Sequence, residues 1–226
     1  MRPIIKVCGM REAENIREVE MAIANSSFFT LHSSLFLMGF IFWPKSSRYV
    51  SERPSYLPTN CKRVGVFVDA DIPEVMQKVE DFGLDYIQLH GHETPDYIRA
   101  LRVADGFPVD TRLIKAISVS NSNDIATYQD YEGLIDYFLF DTKAQLPGGN
   151  GQQFDWSVLA AYDGNTPFLL SGGIGPDDAE RLCALPALDG FPVEKCAGID
   201  LNSRFEVTPA IKDINKLKEF IKTVRI

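Results

Sequence analysis

The sequence predicts an α/β fold, a closed (β/α)8 or TIM barrel, with residues 1–226 forming a single domain. Three observations lead there. Short β-branched or aromatic runs alternate with longer helical patterns along the whole chain. Such alternation implies a parallel sheet, and about eight strand-then-helix units in this length fit a closed barrel. The third is a missing motif: no GxGxxG follows the first strand, which counts against a doubly wound nucleotide-binding sheet.

Taken in order, IIKVC opens the chain and precedes REAENIREVEMAIA, where Ala13, Ile16, Val19 and Ile23 recur at helical spacing. LMGFIF forms the second strand and leads into a polar stretch with a short helix expected near Ser51 to Leu57. RVGVFVD precedes a helix opened by Asp71 as cap, with Pro73 in its first turn. DYIQLHG precedes a second cap-then-proline start at Thr94-Pro95. RLIKAISV is followed by NSNDIATYQDY, DYFLFDT by a glycine-rich loop and FDWSVLAAY, and PFLLSGG by Gly175-Pro176-Asp177-Asp178. CAGIDL precedes Thr208-Pro209 and a closing helix, with Ile211, Ile214, Leu217, Ile221 and Val224 on one apolar face.

Composition narrows the function. A formal charge of -8 argues against nucleic acid as a partner, because phosphate backbones call for clustered Lys and Arg. It leaves room for a small anion met by local positive charge. Cys8, Cys61, Cys183 and Cys196 form no CxxC pair, which favours a reducing, cytoplasmic setting over a disulfide framework. No secretion signal is read at the N-terminus, where Lys6 and Arg11 flank only a short apolar run. The stretch FFTLHSSLFLMGFIFW is interrupted by Thr30, His32, Ser33 and Ser34, and reads as a loop entering a buried strand rather than a membrane span.

In barrels of this class the chemistry gathers at the carboxyl ends of the strands. That selects Cys8, the Phe42 to Arg48 loop, Gln88 and His90, Asp141, Ser171-Gly172-Gly173 and Asp200. Glycines after strand seven, followed by a helix start, suit a phosphate, although a plain tight turn has the same composition. Alternation puts Ile4, Lys6 and Cys8 on one face of strand one, and Cys196, Gly198 and Asp200 on one face of strand eight. Strands one and eight are neighbours in a closed barrel, so Lys6 is expected to pair with Asp200; a lysine snorkelling out of the core is the alternative. Asp141 fits a turn residue as well as an acid, and the stretch Lys143 to Gln153, with PGGNGQQ, fits a lid or a plain flexible loop. An exposed arginine at Arg48 is most often simply solvated.

IKVCGM, GFIFWPKSSRYV, RVGVFVD, IQLHG, FDT with PGGNGQQFDW, LSGGI and AGIDLNS, in this order, resemble the phosphoribosylanthranilate isomerase family of tryptophan biosynthesis. The quoted stretches touch seven of the eight expected strands, all but the fifth. It implies a (β/α)8 barrel with no metal and no organic cofactor, acting on a small phosphosugar as monomer or homodimer. It also implies an Amadori rearrangement, with Cys8 as general base and Asp141 as general acid. By the same resemblance Arg48 faces the anthranilate carboxylate. Gln88, His90, Gly172, Gly173, Asp200, Asn202 and Ser203 are then substrate-binding positions. A base at Cys8 needs a thiolate, for which Lys6 is a source of favourable charge; an acid at Asp141 needs its proton held.

Two departures from the family stand out. The chain carries an insertion at about residues 25–36, with Phe28, Phe29 and Phe36 expected to pack against the chain's own helices and His32 incidental. Where the family commonly has glycine after the serines that follow strand eight, this chain has Arg204, either a charged fork for phosphate or a solvated side chain. A phosphosugar barrel of histidine biosynthesis is the rival enzyme, but it would want a carboxylate at Cys8. A phosphosugar-binding protein without catalysis is the rival of another class.

Overall fold

Each strand run buries side chains on both faces, as a parallel sheet covered by helices requires. The computed structural model describes residues 3–24, 26, 35–142 and 155–224. Eight parallel strands close in chain order: β1 (Ile4–Val7), β2 (Leu35–Ile41), β3 (Lys62–Phe67), β4 (Tyr86–Leu89), β5 (Arg112–Val119), β6 (Tyr137–Thr142), β7 (Phe168–Leu170) and β8 (Cys196–Leu201). The ring is shut by β8 on β1, with Lys6 directly opposite Asp200. Ile4, Leu37, Val64, Ile114, Leu139 and Leu169 fill the lumen, while the alternate residues face the helices. The lumen is a packed core, so ligand space is confined to the barrel's mouth.

Helix α1 (Ala13–Ala24) buries Ile16, Val19 and Ile23. Helix α2 (Ile72–Phe82) starts where Asp71 accepts the Glu74 N–H at 2.8 Å and ends at Gly83, whose φ of 58° closes it in the left-handed region. Helix α3 (Pro95–Arg102) is capped by Thr94, which accepts the Tyr97 N–H at 3.2 Å. Both proline starts therefore stand as read.

The other connections correct the sequence reading. Residues 51–57 form no helix; Pro54 and Pro58 deny the segment an uninterrupted helical turn. It is pinned instead by buried Glu20 of α1, which accepts the Thr59 N–H at 2.6 Å and shorter bonds from Asn60 N–H and the Tyr56 hydroxyl. After β5 the helix α4 (Ser122–Ile125) is brief and continues as a 3-10 turn at Ala126–Asp130. Trp156–Ala161 is also 3-10, and Pro176–Asp178 leads into the short α5 (Ala179–Cys183).

The closing helix is shorter than its apolar pattern. Thr208-Pro209 is not its start: β9 (Glu206–Thr208) and β10 (Ile211–Lys212) make a small antiparallel hairpin, which takes Ile211 out of the helix. Helix α6 (Ile214–Thr223) begins at Asp213, which accepts the Asn215 and Lys216 N–H groups at 3.0 and 3.1 Å.

Cys196 does not share the inner face with Asp200. The β7–β8 register slips between Phe168 and Leu169, so Ala197 enters the lumen cluster and Cys196 packs outward. A one-residue irregularity reverses the alternation on one side of it. Of the insertion at 25–36, Leu35 and Phe36 belong to β2 and Phe36 is buried; Phe28, Phe29 and His32 lie outside the described residues, as does the stretch 143–154.

Candidate active site

A cavity opens at the carboxyl ends of the strands. Cys8 directly follows β1 and reaches it from a buried position, its N–H donating to Leu201 O at 2.9 Å. Two neighbouring glycines make that position possible. Gly39 on β2 leaves room for the thiol, since a Cβ there would stand 2.7 Å from Cys8 Sγ. Gly9 turns the chain at φ 78°, and a Cβ on it would collide with Arg48 Cδ at 2.6 Å and Asn202 Oδ1 at 2.8 Å.

Burial pushes the Cys8 thiol above its ordinary value. Lys6 and, more weakly, Lys212 pull the other way, Asp200 adds to the rise, and burial wins. The expected depression by Lys6 is therefore present but outweighed. Lys6 itself is wholly buried, with Nζ 3.0 Å from Asp200 Oδ1. Burial works to lower it, yet Asp200, with Cys8 adding, carries it above its ordinary value and keeps it an ammonium. The pairing expected from strand alternation is thus observed.

Across the mouth, on β6, Asp141 stands about one-fifth exposed. Its Oδ1 accepts the Thr142 N–H at 2.9 Å, and its Oδ2 lies 3.4 Å from His90 Nε2. The other ring nitrogen of His90, Nδ1, is 2.9 Å from the Gln88 amide nitrogen. With the amide placed this way it donates to Nδ1, leaving the ring proton on Nε2 facing Asp141. Gln88, expected as a substrate-binding position, is buried and also orients a histidine.

The loop after β7 forms a third wall. Gly172 and Gly173 adopt φ of 87° and 68°, and a Cβ on Gly172 would fall 2.1 Å from Thr142 Oγ1. Asn202 and Ser203 line the same side. The helix after this loop is too short to lend much of a dipole, and Asp178 already takes the Gly175 N–H at 2.7 Å. Arg204 is exposed and lays its guanidinium along Gly175, where a Cβ would sit 2.5 Å from its Nε.

Of the two readings of Arg48, the solvated one falls. It is buried, with Nε and Nη2 forking onto Glu206 at 2.8 and 2.6 Å, beside the cavity rather than among the residues lining it. Burial would raise Glu206, but Arg48 and Lys212 hold the carboxyl below its ordinary value. Glu206 and Lys212 were not legible as site residues, because Glu206 falls in the connection after strand eight and Lys212 was read as part of the closing helix. Cys8, Gln88, His90, Asp141, Gly172, Gly173, Asp200, Asn202 and Ser203 all line the one cavity, together with Trp43, Ile41, Val66 and Val68. Among the described residues, no three His, Cys, Asp or Glu side chains are grouped to hold a metal ion, and no helix is long and apolar enough to cross a membrane.

The family model for N-(5'-phosphoribosyl)anthranilate (PRA) isomerase matches residues 6–223. The chain is 48% identical over 226 residues to the N-(5'-phosphoribosyl)anthranilate isomerase of Phocaeicola vulgatus, covering 97% of this chain and 100% of the relative. It is 44% identical over 227 residues to that of Parabacteroides distasonis, covering 98% and 93%. Among solved structures, phosphoribosyl anthranilate isomerase from Thermotoga maritima superposes with a TM-score of 0.73 at 29% identity, covering 98% of each chain. A structure of the isomerase in complex with reduced 1-(o-carboxyphenylamino)-1-deoxyribulose 5-phosphate superposes at 0.70 with 28% identity, covering 98% of this chain and 97% of the other. With barrel, cavity and family model in agreement, this chain belongs to the phosphoribosylanthranilate isomerase family.

Proposed function

We propose that Cys8 is the general base and Asp141 the general acid of the family's reaction. That reaction is the isomerase step of tryptophan biosynthesis, an aldose–ketose (Amadori) rearrangement of N-(5'-phosphoribosyl)anthranilate to 1-(2-carboxyphenylamino)-1-deoxyribulose 5-phosphate. The observation that carries the assignment is a thiol on β1 and a carboxyl on β6 facing one cavity across the barrel mouth.

Opening the furanose ring needs a proton on the ring oxygen, which Asp141 supplies, and leaves an iminium at C1′. The iminium acidifies the C2′ proton, which the Cys8 thiolate removes to give an enolamine; its tautomerisation yields the ketone. Asp141 is then a carboxylate and Cys8 a thiol, so one proton must return from sulfur to carboxylate before the next turnover. Burial makes Cys8 hard to ionise but strong as a base once ionised, and the iminium's positive charge favours the thiolate at the moment it is used. His90, held by Gln88, steadies Asp141.

The phosphate is assigned to the loop of Gly172 and Gly173 with Asn202 and Ser203, and Arg204 is near enough to Gly175 to add its charge. Ile41, Trp43, Val66 and Val68 offer an apolar wall for the anthranilate ring. Its carboxylate takes the edge of Arg48 that Glu206 leaves free. The substrate is a small phosphosugar rather than a nucleic acid, and the setting is cytoplasmic, with the chain acting as monomer or homodimer; the net charge of -8 and four free cysteines support the first two points. The test is to follow loss of the anthranilate-linked substrate with purified protein: turnover to the ketose product supports the reading, and binding without turnover contradicts it.

A further inference from the structure

Behind Gly9 and Asn202 lies a second set of buried charges that the roles above do not use. Lys212 on β10 has a fully buried side chain, and its ammonium donates to Asn202 Oδ1 at 2.8 Å and Glu206 Oε1 at 2.7 Å. Its backbone is fixed by a reciprocal pair with Asn15 of α1: Lys212 N–H donates to Asn15 Oδ1 at 2.7 Å, and Asn15 Nδ2 donates to Lys212 O at 3.0 Å. Asn202 lines the cavity, and its Oδ1 lies 2.8 Å from where a Cβ on Gly9 would stand, one residue from Cys8. The Lys212 ammonium is therefore one hydrogen bond behind the wall that carries the thiol.

On this side of the cavity three cations, Lys6, Arg48 and Lys212, face two carboxylates, Asp200 and Glu206. His90 and Asp141, on the far side, face each other. One positive charge is in excess, and a thiolate at Cys8 brings the cluster to neutrality. We propose that Lys212 is a positioning residue for the reaction: its ammonium, held by Glu206 and Asn202, is the surplus charge that sustains a thiolate at Cys8.

Asp200 matches Lys6 one to one, whereas Arg48 and Lys212 share the single carboxylate of Glu206, so the excess lies with that pair and adds to the stronger pull of Lys6. Lys212 and Cys8 also act on each other reciprocally. Burial lowers Lys212 and raises Cys8, while the charge of each stabilises the charge of the other. The burial of Lys212 is the cost of placing a cation where water cannot screen it, and Glu206 offsets part of that cost.

The inference rests on Cys8 being the base, and its test reads the thiol directly rather than turnover. The pH dependence of iodoacetamide alkylation is measured on the Cys8 peptide by mass spectrometry, which separates it from Cys61, Cys183 and Cys196. In Lys212→Met and in Lys212→Gln, which keeps a donor for Asn202 where Met does not, the midpoint moves up. The Cys8 rate near neutral pH then falls about tenfold or more, since each unit is a factor of ten in thiolate. Lys212→Arg keeps the charge and the wild-type midpoint, and kcat falls in the neutral variants while KM changes little. A wild-type midpoint in either folded neutral variant overturns the proposal. That result would leave Cys8 as base untouched, whereas normal turnover in Cys8→Ala would remove the base and leave a Lys212 effect on the midpoint standing.

Discussion

Lys6 and Asp200 face each other across the seam where β8 closes the barrel on β1, with Nζ 3.0 Å from Oδ1 and the lysine wholly buried. Removing one partner strands the other charge in the core. Asp200→Asn is expected to cost about 3–5 kcal/mol in urea unfolding, far more than an exposed pair would. Because Asp200 carries Lys6 above its ordinary value, the contribution is fully present below about pH 10.4 and lost as pH rises through the folded-state value. Stability that stays level through that alkaline range would contradict the pairing.

Glu206 joins two cations, Arg48 and Lys212, in one buried cluster. Glu206→Ala leaves Lys212 without its carboxylate and is expected to destabilise by about 3–5 kcal/mol, again by urea titration. KM should rise as well, because Arg48 loses the partner that holds it over Gly9. Since the two cations hold Glu206 below its ordinary value, its contribution is present above about pH 4.3 and is lost as pH falls through the lower folded value.

Asp141→Asn keeps the shape of the side chain and the Thr142 contact but has no proton to give. Steady-state kcat should drop roughly 10²–10⁴-fold with KM within a few fold. A rise in KM with kcat unchanged would make Asp141 a binding residue instead.

Arg204 lies with its guanidinium along Gly175. Arg204→Ala should weaken competitive inhibition by inorganic phosphate about tenfold, the value of one charge-assisted hydrogen bond. An unchanged inhibition constant would return Arg204 to a solvated side chain.

Much of this was legible from sequence, for identifiable reasons. Strand–helix alternation gave the barrel, and residue parity on β1 and β8 gave the Lys6–Asp200 pair. Asp71 and Thr94 announced their helices because cap and proline chemistry is local. Apart from the helix expected at 51–57, which Pro54 and Pro58 deny locally, the failures were non-local. Cys196 was placed on the wrong face because a register slip in β8 leaves no trace in composition. Ile211 joined the helix on paper because its spacing fits, although it pairs with Thr208 in the hairpin. Lys212 and Glu206 were missed because a lysine on a helix pattern and a glutamate in a connection look solvated until the fold buries them. The partner of Arg48 was missed for the same reason: Glu206 is 158 residues away. The thiol's upward push by burial is likewise a property of the packed site and not of IKVCGM.

The central claim is that a thiol on β1 removes the C2′ proton. It is tested most directly by steady-state turnover of N-(5'-phosphoribosyl)anthranilate in Cys8→Ala, with binding of the reduced product analogue measured in parallel. The account predicts a kcat lowered by roughly 10²–10⁴-fold with analogue affinity largely retained. Turnover within a few fold of wild type would contradict it.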